Sequence, residues 1–203
     1  MRAEQGLQWR ARWRDDSSID LLSPMGTFVR GVIEADSLAV FDWDVEGEFP
    51  GVKRAVQTRK LWEPAWGAEF YNTSDHIFKI ASVREAGGDA VTAIVCSIGQ
   101  GKNDEASFPP LFDSDNRPTS TDRGISIVRL TINTEGEKPP EERPGDRLFP
   151  GYDVFGDWWV SEYKNAWAPN VPGEPKPDTA VCGDMGDLTA PGPSYPGWSG
   201  SGV

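Results

Sequence analysis

The sequence predicts an α+β domain in which N-terminal helices pack on an antiparallel sheet. Residues 76–98, HIFKIASVREAGGDAVTAIVCSI, hold two β-type runs around Glu85-Ala86-Gly87-Gly88-Asp89, where glycine supplies the positive φ that a tight reversal needs. Upstream, apolar residues recur from Met25 to Phe41 at the 3.6-residue period of an amphipathic helix. Downstream, residues 124–133 and 157–167 have the β-branched and aromatic composition of strands.

Residues 1–22 are charged and lack sustained periodicity, so they are expected as an arm. Ser23 is a good N-cap, and Pro24 stands at the first helical position, where its missing N–H costs nothing. Met25, Phe28, Val29, Val32, Ala35 and Ala39, widened by Leu38 and Phe41, predict a helix over 24–42 that packs on the sheet. Gly26 and Gly31 each weaken it by about 1 kcal/mol relative to Ala, so tertiary contacts must hold it. Beyond Asp42, Asp44 and Gly47, the run Val52, Ala55, Val56 predicts a short second helix ending near Arg59. Trp62, Trp66, Phe70 and Tyr71 are too many large rings for a solvated loop and are expected to cap the open end of the core.

The expected strands are 76–84, 90–98, 124–133 and 157–167. In the third, Ser126, Val128, Leu130 and Ile132 share one face, with Ile125, Ile127, Arg129 and Thr131 on the other. Both faces are partly apolar, which predicts an interior position in the sheet. In the last, Trp158, Val160 and Glu162 oppose Trp159, Ser161 and Tyr163. Two acidic, proline-containing loops, 99–123 and 134–151, separate these strands. Residues 169–203 contain seven Pro and seven Gly, a composition expected to be extended unless something anchors it. The expected division is therefore an arm 1–22, a domain 23–167 and a tail 168–203.

At 203 residues the chain can bury one core of ordinary size. A net charge of −12 opposes phosphate and argues against nucleic acid as a partner. The basic residues Arg2, Arg10, Arg12 and Arg14, interleaved with Trp9 and Trp13, read as a membrane-surface or partner contact, or as a solvated arm. No run reaches the ~18 apolar residues of a membrane span, and the first residues lack a signal peptide's apolar stretch. Cys96, on a strand, and Cys182, in the tail, admit two readings. One is a disulfide that pins the tail to the sheet in an oxidising compartment; the other is a small buried strand residue and an unrelated free thiol.

Two helices, an aromatic connector, a hairpin around Gly-Gly, a third strand and a last strand carrying Gly156, Trp158, Val160 and Tyr163 form a recognisable series. That order resembles the nuclear transport factor 2-like, or SnoaL-like, superfamily over about residues 23–167. The resemblance implies a cone: a helix lying across a strongly curved antiparallel sheet that encloses a pocket. The acidic, Trp-rich, proline-tailed composition is similar to that of exported lipoproteins and envelope proteins of actinobacteria. It implies a secreted or cell-envelope location, with a cytoplasmic location as the alternative, and a protein partner in an envelope complex.

The chemistry-bearing residues are sparse. A single histidine, His76, cannot build a His-rich metal site, so no metal and no cofactor are expected. His76 beside Asp75 is a candidate base, since imidazole titrates near neutral pH. The superfamily resemblance adds Asp42, Asp44, Tyr71 and Tyr163 as candidates for a pocket. No Ser-His-Asp set assembles, and Gly99-Gln100-Gly101 leads into acidic coil instead of a phosphate-cradling helix. Trp9, Trp13, Tyr195 and Trp198 lie in the arm and tail, where burial would need a partner, and are expected as interface anchors. The expected function is thus a non-catalytic binding or accessory module of an envelope assembly. The alternative is a small isomerase- or dehydratase-like enzyme, and the interior of the cone discriminates: convergent polar groups favour the enzyme, a filling of Trp and Phe the module.

Overall fold

A computed structural model describes residues 8–39, 45–57, 73–102, 125–165, 178–186 and 194–200. The chain is α+β, with a five-stranded mixed sheet in the order β1-β2-β3-β4-β5. The strands are β1 (Gln8–Trp13), β2 (Thr73–Gly87), β3 (Ala90–Lys102), β4 (Ser126–Asn133) and β5 (Trp159–Asn165). Among the described residues three α-helices, α1 (Pro24–Ala39), α2 (Val45–Glu48) and α3 (Val52–Ala55), lie between β1 and β2.

β1 corrects the expectation of an unstructured arm and of an all-antiparallel sheet. Gln8-Trp9-Arg10-Ala11-Arg12-Trp13 alternates with period two, and the strand runs parallel to β2, pairing Trp9 with Ser74 and Trp13 with Phe78. A parallel pair needs a crossover, and the helical segment that follows β1 supplies it. Trp9, Ala11 and Trp13 are buried, whereas Arg10 and Arg12 point to the opposite face.

α1 begins as its sequence predicts. Ser23 Oγ accepts from Gly26 N at 3.2 Å, and Thr27 N donates to Ser23 O at 2.8 Å. Of the expected stripe, Phe28, Val29, Val32, Ala35, Leu38 and Ala39 are buried and Met25 is half-buried, but Thr27, Arg30 and Glu34 are buried too. The helix is enclosed on most of its circumference. That explains Gly31: a Cβ there would stand 2.9 Å from the side chains of both Val154 and Phe155, so glycine permits the close approach. Residues 40–44, including the expected end of the helix, and 58–72 lie outside the described residues.

The hairpin extends beyond the expected 76–84 and 90–98, turning through Gly88-Asp89 with Gly87 and Gly88 at φ 99° and 59°. Register shifts fall between Ile80 and Ser82 and between Glu85 and Gly87. The first keeps Val83 on the same core as Phe78 and Ile80, because the extra residue absorbs one alternation. β4 lies inside the sheet, between β3 and β5, as its two apolar faces predict.

β5 contains a bulge that overturns one expected face. Ile132 pairs with Val160, but Thr131 pairs with Glu162 and Leu130 with Tyr163, leaving Ser161 as the extra residue. Tyr163 therefore joins Val160 on the buried face, packed against the main core, instead of opposing it. The Gly-x-Trp-x-Val-x-x-Tyr spacing is that of a bulged strand whose Trp158, Val160 and Tyr163 all turn inward.

Two apolar clusters result. The larger fills the space between the sheet's inner face and the helices, with Phe28, Phe49, Phe155, Trp158, Trp13 and Trp198 among its rings. The smaller lies on the outer face and consists of Ile77, Cys96, Ile98, Ile127, Cys182 and Met185. The sheet is thus covered on both sides, the outer side by the tail.

Candidate binding site

The tail is bound at two places. A 3-10 turn at Thr179–Cys182 rests on the outer face, where Cys182 is bonded to Cys96 with Cα atoms 5.7 Å apart. The disulfide reading is the one the structure takes. Residues 194–200 then cross the edge beside β1: Tyr195 N donates to Ala11 O at 2.9 Å, and Trp13 N donates to Tyr195 O at 2.7 Å. Gly197 and Trp198 bridge antiparallel to Gly145 and Arg147.

Trp198 enters the core and is 1% exposed. Its Nε1 donates to Glu34 Oε2 at 2.8 Å, while Trp13 Nε1 donates to Glu34 Oε1 at 2.7 Å. Arg30, one helical turn before Glu34, lies 4.1 Å over the Trp198 ring, and its Nη2 donates to Pro196 O at 2.7 Å. Burial raises the pKa of Glu34, opposed first by the Arg30 charge and then by the two indole donors. Because each carboxylate oxygen faces an N–H, a proton on Glu34 would meet a donor, and the ionised form is the one the geometry satisfies. Burial lowers Arg30, but guanidinium remains a cation. A buried ion pair, two indoles and the chain's own tail close this part of the interior.

Trp9, Trp13 and Trp198, expected as anchors for a partner, are instead core residues of this chain. Arms and tails read as solvated because their partners are remote in sequence; here they are each other's partners. Tyr195 is different, at 49% exposed. It borders an open cleft of about 430 Å³ lined by Arg12, Trp13, Arg14, Asp15, Asp16, Ile77, Gly186 and itself. The cleft sits where the end of β1, the outer-face turn and residues 194–195 meet.

Charge in the cleft is mixed and internally compensated. Asp16 is held low, first by the hydrogen bond from Lys79 at 2.8 Å and also by Arg14 at 3.2 Å. The Asp15 carboxylate raises the Tyr195 phenol, which stays protonated and a donor. Such a site offers arginine donors, carboxylate acceptors and an aromatic ring, and its volume lies in the range that admits a ligand or a partner's side chains. Among its described lining residues there is no nucleophile paired with a base.

The candidate base is placed elsewhere. His76 faces the inner side at the end of the sheet, its ring parallel to Phe78 at 5.5 Å and packed over Gly99, its cross-strand neighbour. Burial pushes its pKa down to about 4, so the ring is neutral at pH 7 and a weak base. Asp75 does not orient it: neighbours on a strand face opposite sides, and Asp75 takes both its oxygens to Arg10 at 2.5 Å on the outer face. Tyr163 donates its hydroxyl to Asp36 on α1. Tyr163 and His76 share the inner face but not a site. β3 and β4 intervene, and through their partners they are six residues apart along β3, Ala93 against Gly99. Asp42, Asp44 and Tyr71 lie outside the described residues. Among the described residues no three His, Cys, Asp or Glu gather as a metal ion would require, and no helix is long and apolar enough to cross a membrane.

Arg30, Glu34 and Asp36 are the residues that sequence reasoning missed. An Arg-x-x-x-Glu pair on a helix ordinarily reads as a surface ion pair, and only the two remote tryptophans turn it into a core feature. Comparison with protein-family models, with curated proteins and with solved structures finds no match.

Proposed function

We propose that this protein is a non-catalytic binding or accessory module of a larger assembly, working in an oxidising compartment at a bacterial cell envelope. The observation that carries this reading is the filled interior: Trp13, Phe28, Phe49, Phe155, Trp158 and Trp198 occupy the space between helix and sheet, around a Glu34 carboxylate that accepts from Trp13 and Trp198 and faces the Arg30 charge. A substrate would have to displace that packing. The order of helix, hairpin and two further strands, closed by the bulged Gly156–Tyr163 spacing, supports a nuclear transport factor 2-like cone, to which β1 adds an edge strand. The buried cystine supports the oxidising compartment, and residues 178–186 and 194–200 lie against the outer face and the edge of the sheet.

Docking is then assigned to the cleft around Tyr195, where an exposed ring stands beside both signs of charge. A photo-crosslinking amino acid at position 195, introduced in the native host, tests the assignment against the same group at exposed Leu148. The expected result is a discrete protein adduct from position 195 that position 148 does not give. Identical adduct patterns from both positions, or none from 195, would refute docking at the cleft.

A further inference from the structure

We propose that residues 178–186 form a redox-gated strap, held over the outer face of the sheet by the Cys96–Cys182 bond and released when that bond is reduced. Among the described residues, every hydrogen bond of the strap stays within it: Ala180 N to Asp178 Oδ1 at 2.9 Å, Gly183 N to Ala180 O at 3.2 Å, and Gly186 N to Asp184 Oδ1 at 2.8 Å. No donor or acceptor of the strap reaches the sheet among the described residues. Only Cys182 and Met185 are buried; residues 178–181 are exposed, Val181 by 46%. The disulfide and one methionine side chain therefore hold the strap down.

Beneath it lie Ile77, Ile98 and Ile127, an apolar patch on a face that elsewhere carries charge, such as Arg10, Asp75 and Arg129. Cross-strand pairing puts Lys79 on the same face as Cys96, and its ammonium reaches to within 3.7 Å of where a Gly183 Cβ would stand. Its charge is shared with Asp16, 2.8 Å away. Closure is a two-electron step: the two thiols give up two electrons and two protons to a disulfide-bearing oxidant, which leaves as a dithiol. Opening reverses it, a dithiol thiolate attacking one sulfur and its second thiol releasing the other. Both cysteines are fully buried, so attack requires a local parting of the exposed residues on either side of Cys182, with the bond still closed, before the whole strap is released. Release uncovers the isoleucine patch and removes Gly186 from the wall of the cleft.

Amide hydrogen exchange with and without dithiothreitol tests the proposal on the full chain, with an alkylated aliquot weighed to confirm two free thiols. Reduction is expected to speed exchange in residues 178–186 by about tenfold or more while α1 stays within about twofold, as local release without global unfolding requires. A Cys96→Ala, Cys182→Ala double variant is expected to give the same pattern without reductant. Unchanged strap exchange in fully reduced protein would overturn the proposal. So would α1 exchange rising in step with the strap, or a double variant that does not fold.

Discussion

Replacing Glu34 with leucine removes the one acceptor shared by Arg30, Trp13 and Trp198, and its cost can be worked from the contacts. The substitution leaves Arg30, at 0% exposure, as a buried cation without its counterion, which costs about 3–5 kcal/mol. It also strands two buried indole N–H groups, each worth about 1–3 kcal/mol when unsatisfied. The smallest sum, about 5 kcal/mol, equals the low end of a domain's whole stability, so Glu34→Leu is expected to be at or beyond the edge of folding. Arg30→Met alone leaves a buried carboxylate with two donors and no cation, a loss of about 3–5 kcal/mol. Combining the two removes both charges, and the double variant is expected to be more stable than Glu34→Leu. Urea unfolding followed by tryptophan fluorescence measures all three. Single effects that add to within about 0.5 kcal/mol would refute the coupled-pair account, because independent sites add and paired charges do not. Trp198→Phe keeps an aromatic ring but deletes one donor and leaves a smaller side chain in a closed core, and is expected to cost at least about 1.5–3 kcal/mol, the worth of a hydrogen bond to a charged group, before the cavity is added.

Two further outcomes follow from the same geometry. His76 titrates at about 4 in the folded chain and at 6.5 unfolded, so the folded state prefers the neutral ring. Its contribution is full above pH 6.5 and is lost as pH falls towards 4, by at most about 3 kcal/mol. His76→Phe preserves the stack on Phe78 and should flatten the pH dependence of unfolding in that window relative to the parent; identical slopes would contradict it. Gly197→Ala would set a Cβ 2.2 Å from Gly145 O, a backbone atom that cannot yield cheaply. The substitution is expected to detach residues 194–200, read as a red shift of Trp198 emission and faster exchange in that segment, while β3 and β4 stay protected.

The elements set by local pattern were legible. The hairpin needed only its glycines, α1 only Ser23, Pro24 and a 3.6-residue stripe, and β4 only two apolar faces. What period-two counting cannot supply is the bulge at Ser161, since one unpaired residue reverses every later face and carries Tyr163 to the inner side. β1 was hidden by its arginines. Trp9, Ala11 and Trp13 alternate correctly, yet Arg10 finds Asp75 on a strand 65 residues away, and nothing near it in sequence announces that partner.

The tryptophans carry the argument about the site. A ring in a Pro/Gly-rich tail reads as an anchor for another molecule because the tail cannot form a core of its own. Trp198 does need a partner, but the partner is Glu34, 164 residues earlier, joined by Trp13 from the other end of the chain. Composition reports the demand for burial and leaves open who meets it. Among the described aromatic residues, Trp159 and Tyr195 stay exposed, and Tyr195 lies on a backbone pinned to Ala11 and to Trp13. A side chain left outward on a fixed backbone loses little further entropy when a partner covers it, which is the condition for an interface anchor.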